Sequence, residues 1–236
     1  MRAMILAAGR GERMRPLTDT CPKPLIPAGG QPLIVWHLQA LARAGIRDVV
    51  INHAWLGEQI EAALGDGSRW GLRIRYSPES SALETAGGIA NALDFFQGEP
   101  FLVMNGDVWS DWDPGRAFAM AQRLREGDEL AWLVLTPNPP HHPDGDFGMR
   151  AGQARLCAKD EPGARSATLS GLGVYKPELF AHLPKGQPAK SATLLHAAIA
   201  RQQVLGSLHE GFWMDVGTSE RLHALNQHLE SLTASR

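Results

Sequence analysis

Gly9, Gly11, Arg13 and Lys23 near the start of the chain, and Asp107 and Asp215 far along it, combine bare backbone, cations and carboxylates in a way that suits phosphate chemistry. Gly9-Arg10-Gly11-Glu12-Arg13 follows the apolar run from Met4 to Ala8, and Lys23 stands between Pro22 and Pro24. Glycines let a backbone come close to a ligand and adopt positive φ. Amides from Ala8 onward, at a turn entering a helix, offer donors and the positive end of a dipole to an anion. Arg13 adds a planar fork and Lys23 a point charge. Pro16, Pro22 and Pro24 stiffen the segment, so less entropy is lost when it closes. These residues together read as a cradle for the polyphosphate of a nucleoside triphosphate.

Two other phosphate patterns are excluded. A dinucleotide fingerprint needs a third glycine where Met14 stands, and a P-loop needs Gly-Lys-Ser/Thr after four spacer residues; the chain has neither. A Gly-x-Gly alone is an ordinary strand-to-turn signal, but a lysine held between two prolines has no evident folding purpose.

Asn105-Gly106-Asp107 closes an apolar run over residues 101–104. In an open parallel sheet the carboxyl ends of strands face the ligand crevice, so Asp107 points toward the phosphates. A carboxylate there, with phosphate oxygens and waters, is how Mg²⁺ is usually held. An Asn-Gly turn with a capping Asp reads equally well from the same residues. Asp215 sits in Phe212-Trp213-Met214-Asp215-Val216-Gly217-Thr218, where burial is costly unless the charge is paired or coordinated. No Ser/His/Asp or Cys/His arrangement for a protein nucleophile is visible, and Cys21 reads as a small filler. His141 and His142, beside Asp144, read as a solvated loop, because their spacing to any other His or Cys is poor for a metal.

These groups need a scaffold. Strands are expected at residues 3–8, 48–52, 73–76 and 101–105, and helices at residues 32–44, 56–64 and 85–96. Apolar residues at Leu33, Trp36, Leu38 and Leu41 give the first helix its buried face, and Gly45 and Gly65 close the first two helices. This βαβαβαβ order predicts a mostly parallel sheet with right-handed crossovers. Beyond residue 110 the expectation is a helix at 114–126, a strand at 130–135, a polar loop at 137–148, short strands and turns over 151–172 followed by 173–175, and helices at 191–203 and 219–232.

The chain has 236 residues, enough for one sizeable domain, and a formal net charge of −2. That balance offers no basic field for nucleic acid. The two cysteines make no disulfide scaffold and fit a reducing compartment. No apolar run approaches the ~20 residues that span a bilayer, and Met1 leads directly into an apolar strand without a leader-like segment. The expectation is a cytoplasmic protein with no membrane partner, monomeric or a small homo-oligomer.

The string from Leu6 to Thr18, with Pro22 to Leu25, resembles the signature of the sugar-nucleotidyltransferase family. Asn105-Gly106-Asp107 and the Trp-x-Asp-x-Gly-Thr around Asp215 are similar to that family's two metal-ligand segments. The resemblance implies a single Rossmann-like α/β domain over 1–236. Its mostly parallel, mixed sheet is flanked by helices, with a nucleotide-binding half over about 1–110, a smaller β-rich sugar-binding half over about 111–236, and no β-helix. It implies Mg²⁺-dependent transfer from UTP to a sugar 1-phosphate, with Asp107 and Asp215 on the metal and Arg13, Lys23 and Asp107 as catalytic residues. Ala8, Gly9, Gly11, Glu12, Arg13, Lys23 and Gly88 are expected on the nucleotide, Gly88 through a resemblance of Glu84 to Ile89 to a base-binding helix start. Asn105, Asp146 and Gly173 are expected on the sugar. Glu12 stands where most hexose members carry Thr or Ser. It is similar instead to the branch acting on N-acetylmuramate 1-phosphate, as are Ile51 to Gly57, Gly65 to Arg69 and Asn105 to Trp109. Mannose 1-phosphate guanylyl transfer, another hexose 1-phosphate, and a regulatory homologue without catalysis are the alternatives; the intact Arg13, Lys23, Asp107 and Asp215 argue against the last.

Overall fold

The computed structural model describes residues 1–234. The first strand, β1 (Arg2–Leu6), is central, and Ala3, Met4 and Ile5 are fully buried. After the glycine turn come the four-residue helix α1 (Leu17–Thr20) and a hairpin of β2 (Pro27–Ala28) and β3 (Gln31–Pro32). Gly29 and Gly30 make the hairpin's two-residue turn at φ 60° and 82°, as such a turn requires. Helix α2 (Leu33–Arg43) then runs to β4 (Asp48–His53), α3 (Gly57–Leu64), β5 (Arg73–Pro78) and α4 (Glu84–Asn91). The helix expected over 85–96 therefore stops early and becomes a separate 3₁₀ turn at Leu93–Phe96.

Strands β6 (Phe101–Asn105) and β7 (Val108–Ser110) lead to α5 (Ala117–Glu126) and β8 (Ala131–Thr136). Short strands β9 (Phe147–Met149) and β10 (Leu156–Cys157) precede β11 (Arg165–Tyr175), and α6 (Ser191–Ala200), β12 (Val204–Leu208), β13 (Trp213–Asp215) and α7 (Ser219–Ala234) complete the chain. The short strands and turns expected up to residue 172 are in large part the single eleven-residue β11, whose register shifts between Leu169 and Leu172. Residues 165–167 of the strand pair with β9 and residues 172–175 with β6, while β8 pairs on both sides of the bulge.

The main sheet runs β5-β4-β1-β6-β11-β8-β12. The first four strands are mutually parallel, β11 is antiparallel to both neighbours, and β12 is parallel to β8. Side chains alternate across it. Ala3, Ile5, Leu102 and Met104 face Ile34, Leu38, Ile60 and Ala117 on one side, while Met4, Val103 and Phe101 face Ala86, Ile89, Leu195 and Ala198 on the other. Both faces are covered, which is why the strands read as near-continuous apolar runs. A third cluster around Met14, Leu33, Trp109, Leu225 and Leu229 binds α7 over the end of the sheet that carries the glycine turn.

His37 of α2 is buried behind residues 105–108, and its Nε2 has no hydrogen-bond partner among the described residues. Burial lowers its pKa to about 4, against the opposing influence of the Val108 and Asn105 backbone and the Asp107 charge. The folded ring thus stays neutral where the unfolded one, near 6.5, takes up a proton. Its contribution to stability is complete above pH 6.5 and is lost as pH falls toward 4, on the order of 3 kcal/mol at the limit. Thermal melts in metal-free buffer are expected to show a fall in Tm between pH 7 and pH 5 that is smaller in His37→Gln.

Candidate active site

A cavity of about 530 Å³ opens at the carboxyl ends of β1 and β6, lined by Gly9, Gly11, Arg13, Lys23, Asn105 and Asp107 among others. Ala8 and Glu12 also line it. Gly11 sits at φ 71°, and a Cβ there would lie 2.9 Å from Thr18 Cγ2 and 3.3 Å from Lys23 Cβ, so only glycine fits. The Thr18 hydroxyl donates to the Gly11 carbonyl at 2.9 Å, and the Trp55 indole donates to the Thr18 carbonyl at 2.9 Å. The Arg10 guanidinium covers that indole 4.2 Å from its ring centre. Gly9 has no positive φ and nothing near its absent Cβ, so what it supplies is bare backbone at the cavity. The helix expected after the turn is only a 3₁₀ turn at Glu12–Met14 followed by α1. Such short elements add little dipole; an anion here meets turn amides and side-chain charge.

Gly106 lets the next turn press against β1. Its amide donates to the Leu6 carbonyl at 2.8 Å, and a Cβ would lie 2.8 Å from that same oxygen. Asp107 follows, and Lys23, with only 9% of its side chain exposed, donates from Nζ to Asp107 Oδ2 at 2.5 Å. Strands β7 and β13 pair antiparallel with Asp215 opposite Val108, and the Val216 amide donates to the Asp107 carbonyl at 2.7 Å. This ladder joins the backbones of the two aspartate segments; Asp107 and Gly217 line the cavity, and Asp215 is not among its lining residues. Arg221 Nη1 reaches both Asp215 oxygens at 2.8 Å, and His141 Nε2 lies 3.0 Å from Oδ1. Two partly exposed carboxylates beside a phosphate-sized cavity suit a hard cation that keeps oxygen ligands from substrate and water. Among the described residues no group of three or more His, Cys, Asp or Glu is arranged for a metal, so a closed, all-protein site does not fit.

A smaller cavity of about 220 Å³ shares Asn105 and Thr85 with the first and adds Asp146, Gly171, Tyr175 and His196. Asp146 Oδ2 accepts from the Leu169 amide at 2.7 Å, and Oδ1 lies 3.1 Å from His142 Nε2. His141 and His142, read from the sequence as a solvated loop, thus each meet one carboxylate of the site. Gly173 lies elsewhere: it is buried in the sheet between Val103 and Leu133 and lines neither cavity. Gly171, at φ 78°, takes the cavity position, where a Cβ would lie 2.7 Å from Asn105 Nδ2. The bulge in β11 separates the two glycines' surroundings.

Gly88 is also not in the cavity lining. A Cβ there would lie 2.7 Å from Asn52 Nδ2 and 2.8 Å from Glu79 Oε1, so it makes room for a buried network. Asn52 Oδ1 accepts from the Ala7 amide at 2.9 Å, Asn52 Nδ2 donates to Glu79 Oε1 at 2.7 Å, and Glu79 Oε2 accepts from the Leu83 amide at 2.9 Å. The network fixes the glycine turn against the wall that carries Glu84 and Thr85, both of which line the cavity. Sequence reasoning missed Asn52, Glu79 and Arg221, and within the segment from Gly171 to Tyr175 it chose the other glycine. Asn52 carried a signal, since like Asn105 it is a polar residue closing an apolar parallel strand.

The model of the nucleotidyl transferase family matches residues 2–231. An N-acetylmuramate alpha-1-phosphate uridylyltransferase of Neisseria meningitidis is 53% identical over 94% of this chain and 95% of its own length. A mannose-1-phosphate guanylyltransferase of Mycobacterium tuberculosis is 30% identical over 92% of this chain, which spans 61% of that protein. The crystal structure of a Bacillus anthracis protein assigned as a glucose-1-phosphate thymidylyltransferase superposes with a TM-score of 0.81 at 22% identity. It covers 97% of this chain and 95% of that one, a likeness that speaks to the fold. Enzymes of this family generally use a divalent metal. With the model matched almost end to end, and a relative matched over nearly all of both lengths, this chain belongs to the nucleotidyl transferase family.

Proposed function

We propose that the chain transfers a uridylyl group from UTP to N-acetylmuramate 1-phosphate, releasing pyrophosphate. The observation that carries the chemistry is that Lys23 and Asp107 meet in the cavity wall beside the glycine turn, with the strand that ends at Asp215 paired to the segment that follows Asp107. In this reading a phosphate oxygen of the sugar 1-phosphate attacks the α-phosphorus in line, and the bond to pyrophosphate breaks. No protein nucleophile is needed. Amides of Ala8, Gly9 and Gly11 and the side chains of Arg13 and Lys23 hold the triphosphate and stabilise charge that grows on it. Asp107 and Asp215 would hold Mg²⁺, which when bound neutralises phosphate charge. Asn105 and Asp146 face the sugar from the smaller cavity, and the halves before and after about residue 110 divide the work between nucleotide and sugar.

The choice of sugar and base is supported by the 53% identity to a protein of that name. N-acetylmuramate differs from N-acetylglucosamine by a lactyl carboxylate, and a site built for a charged group is left with unpaired donors when it is missing. Incubation with four nucleoside triphosphates and a panel of sugar 1-phosphates tests the reading. With UTP, N-acetylmuramate 1-phosphate is expected to exceed N-acetylglucosamine 1-phosphate by more than about tenfold in kcat/KM. Equal rates, or a preference for GTP with mannose 1-phosphate, would refute the muramate assignment and keep the transferase.

A further inference from the structure

Arg221, on the first turn of α7, has no part in the reaction described so far. Its Nη1 lies 2.8 Å from both oxygens of Asp215 and 2.7 Å from His141 Nε2, while Asp215 Oδ1 is 3.0 Å from that same nitrogen. An Nη1 carries two hydrogens, and here three acceptor atoms surround it. Since a guanidinium only donates, His141 Nε2 must present a lone pair to it, and that lone pair also faces the carboxylate. Two N–H bonds cannot serve three acceptors well, whereas a spherical cation can. The three atoms outline a cation position that the arginine fills.

The far side of the guanidinium supplies an independent observation. A Cβ on Gly217, a residue of the cavity wall, would collide with Arg221 Nη2 and lie 3.1 Å from Arg13 Nη2. Two guanidinium groups thus converge over one bare glycine, and neither Nη2 has a hydrogen-bond acceptor among the described residues. Asp215 answers Arg221 through Nη1 alone, so the two Nη2 groups still face each other as like charges, and an anion between them would relieve the repulsion. The pair is arranged to receive a phosphate.

We propose that Arg221 is the internal counter-ion of Asp215. It holds the carboxylate and His141 in the ligand-free chain, yields that place to the divalent cation, and turns its guanidinium with Arg13 onto the phosphate. The inference rests on Asp215 being a metal ligand. It makes metal and nucleotide bind cooperatively, because each needs the arginine moved the same way.

Mn²⁺ binding to the full chain without nucleotide, followed by electron paramagnetic resonance, tests this. Arg221→Gln is expected to tighten Mn²⁺ at least about tenfold, because a competing cation is removed. Arg221→Lys, which keeps a cation, is expected to stay near the parent, and adding Asp215→Asn to Arg221→Gln is expected to abolish the gain. Unchanged or weaker Mn²⁺ binding by Arg221→Gln overturns the proposal. If that variant does not fold, Arg221→Met, which keeps the apolar stem and removes the charge, decides by the same measurement: Mn²⁺ binding tighter than the parent's supports the proposal, and unchanged or weaker binding overturns it. The nucleotide-free measurement does not depend on the reaction. A gain in Mn²⁺ affinity in a protein that transfers no nucleotide would sink the proposed function and leave this inference standing.

Discussion

Asp107→Asn is expected to lower kcat/KM by roughly 10³-fold or more, about 4 kcal/mol of transition-state stabilisation, at saturating Mg²⁺. The side chain stands where β6 has ended and the Gly106 turn presses on β1, so its position is set by backbone that the substitution leaves alone. Asparagine keeps the shape and removes the charge. Lys23, nearly buried, then loses its counter-charge, and the melting temperature should fall by a few degrees while the far-ultraviolet circular dichroism stays that of the parent. The decisive measurement is turnover across a Mg²⁺ titration. Near-parental kcat at any Mg²⁺ concentration would remove Asp107 from the metal and return it to the role of a turn residue.

Lys23→Met should cost about 10²- to 10³-fold in kcat/KM, since a positioned cation in a partly enclosed site stabilises charge that grows in the transition state. Methionine preserves the packing of the stem against Gly11, so lost packing is not the explanation for lost rate. Because Nζ rests on Asp107 Oδ2 at 2.5 Å, the two residues act as a unit. The double variant Lys23→Met with Asp107→Asn is therefore expected to be no more than about threefold worse than Asp107→Asn alone. Full additivity of the two losses would show that the contact between them plays no part in catalysis. A Lys23→Met chain altered only in thermal stability would make the loop structural.

The features legible in the residues alone were local. The glycine turn after β1, the lysine between prolines and the Asn-Gly-Asp at the end of β6 each answer a demand made within a few residues: a positive φ at Gly11, a close approach at Gly106, and an apolar strand that must end at the ligand edge of a parallel sheet. The alternation of strands and helices to residue 105 was legible for the same reason, because burial on both faces writes continuous apolar runs. Past that point the parallel logic fails. β11 runs against its neighbours and carries a bulge, and no periodicity announces which of its glycines faces the cavity; hence Gly171 stands where Gly173 was expected.

Pairings between residues far apart in the chain emerged from the packing of the whole fold. Asp215 meets His141, Val216 bonds back to Asp107, Asp146 takes the Leu169 amide, and Asn52 joins Ala7 to Glu79. None of these has a spacing rule, because each arises where a loop or strand end is carried over the sheet by elements between. A lone histidine in a polar loop and a buried glutamate after a strand look the same in sequence whether or not a partner waits across the fold. Their charge must be matched once buried or crowded, and the partner that matches it is chosen by three-dimensional packing.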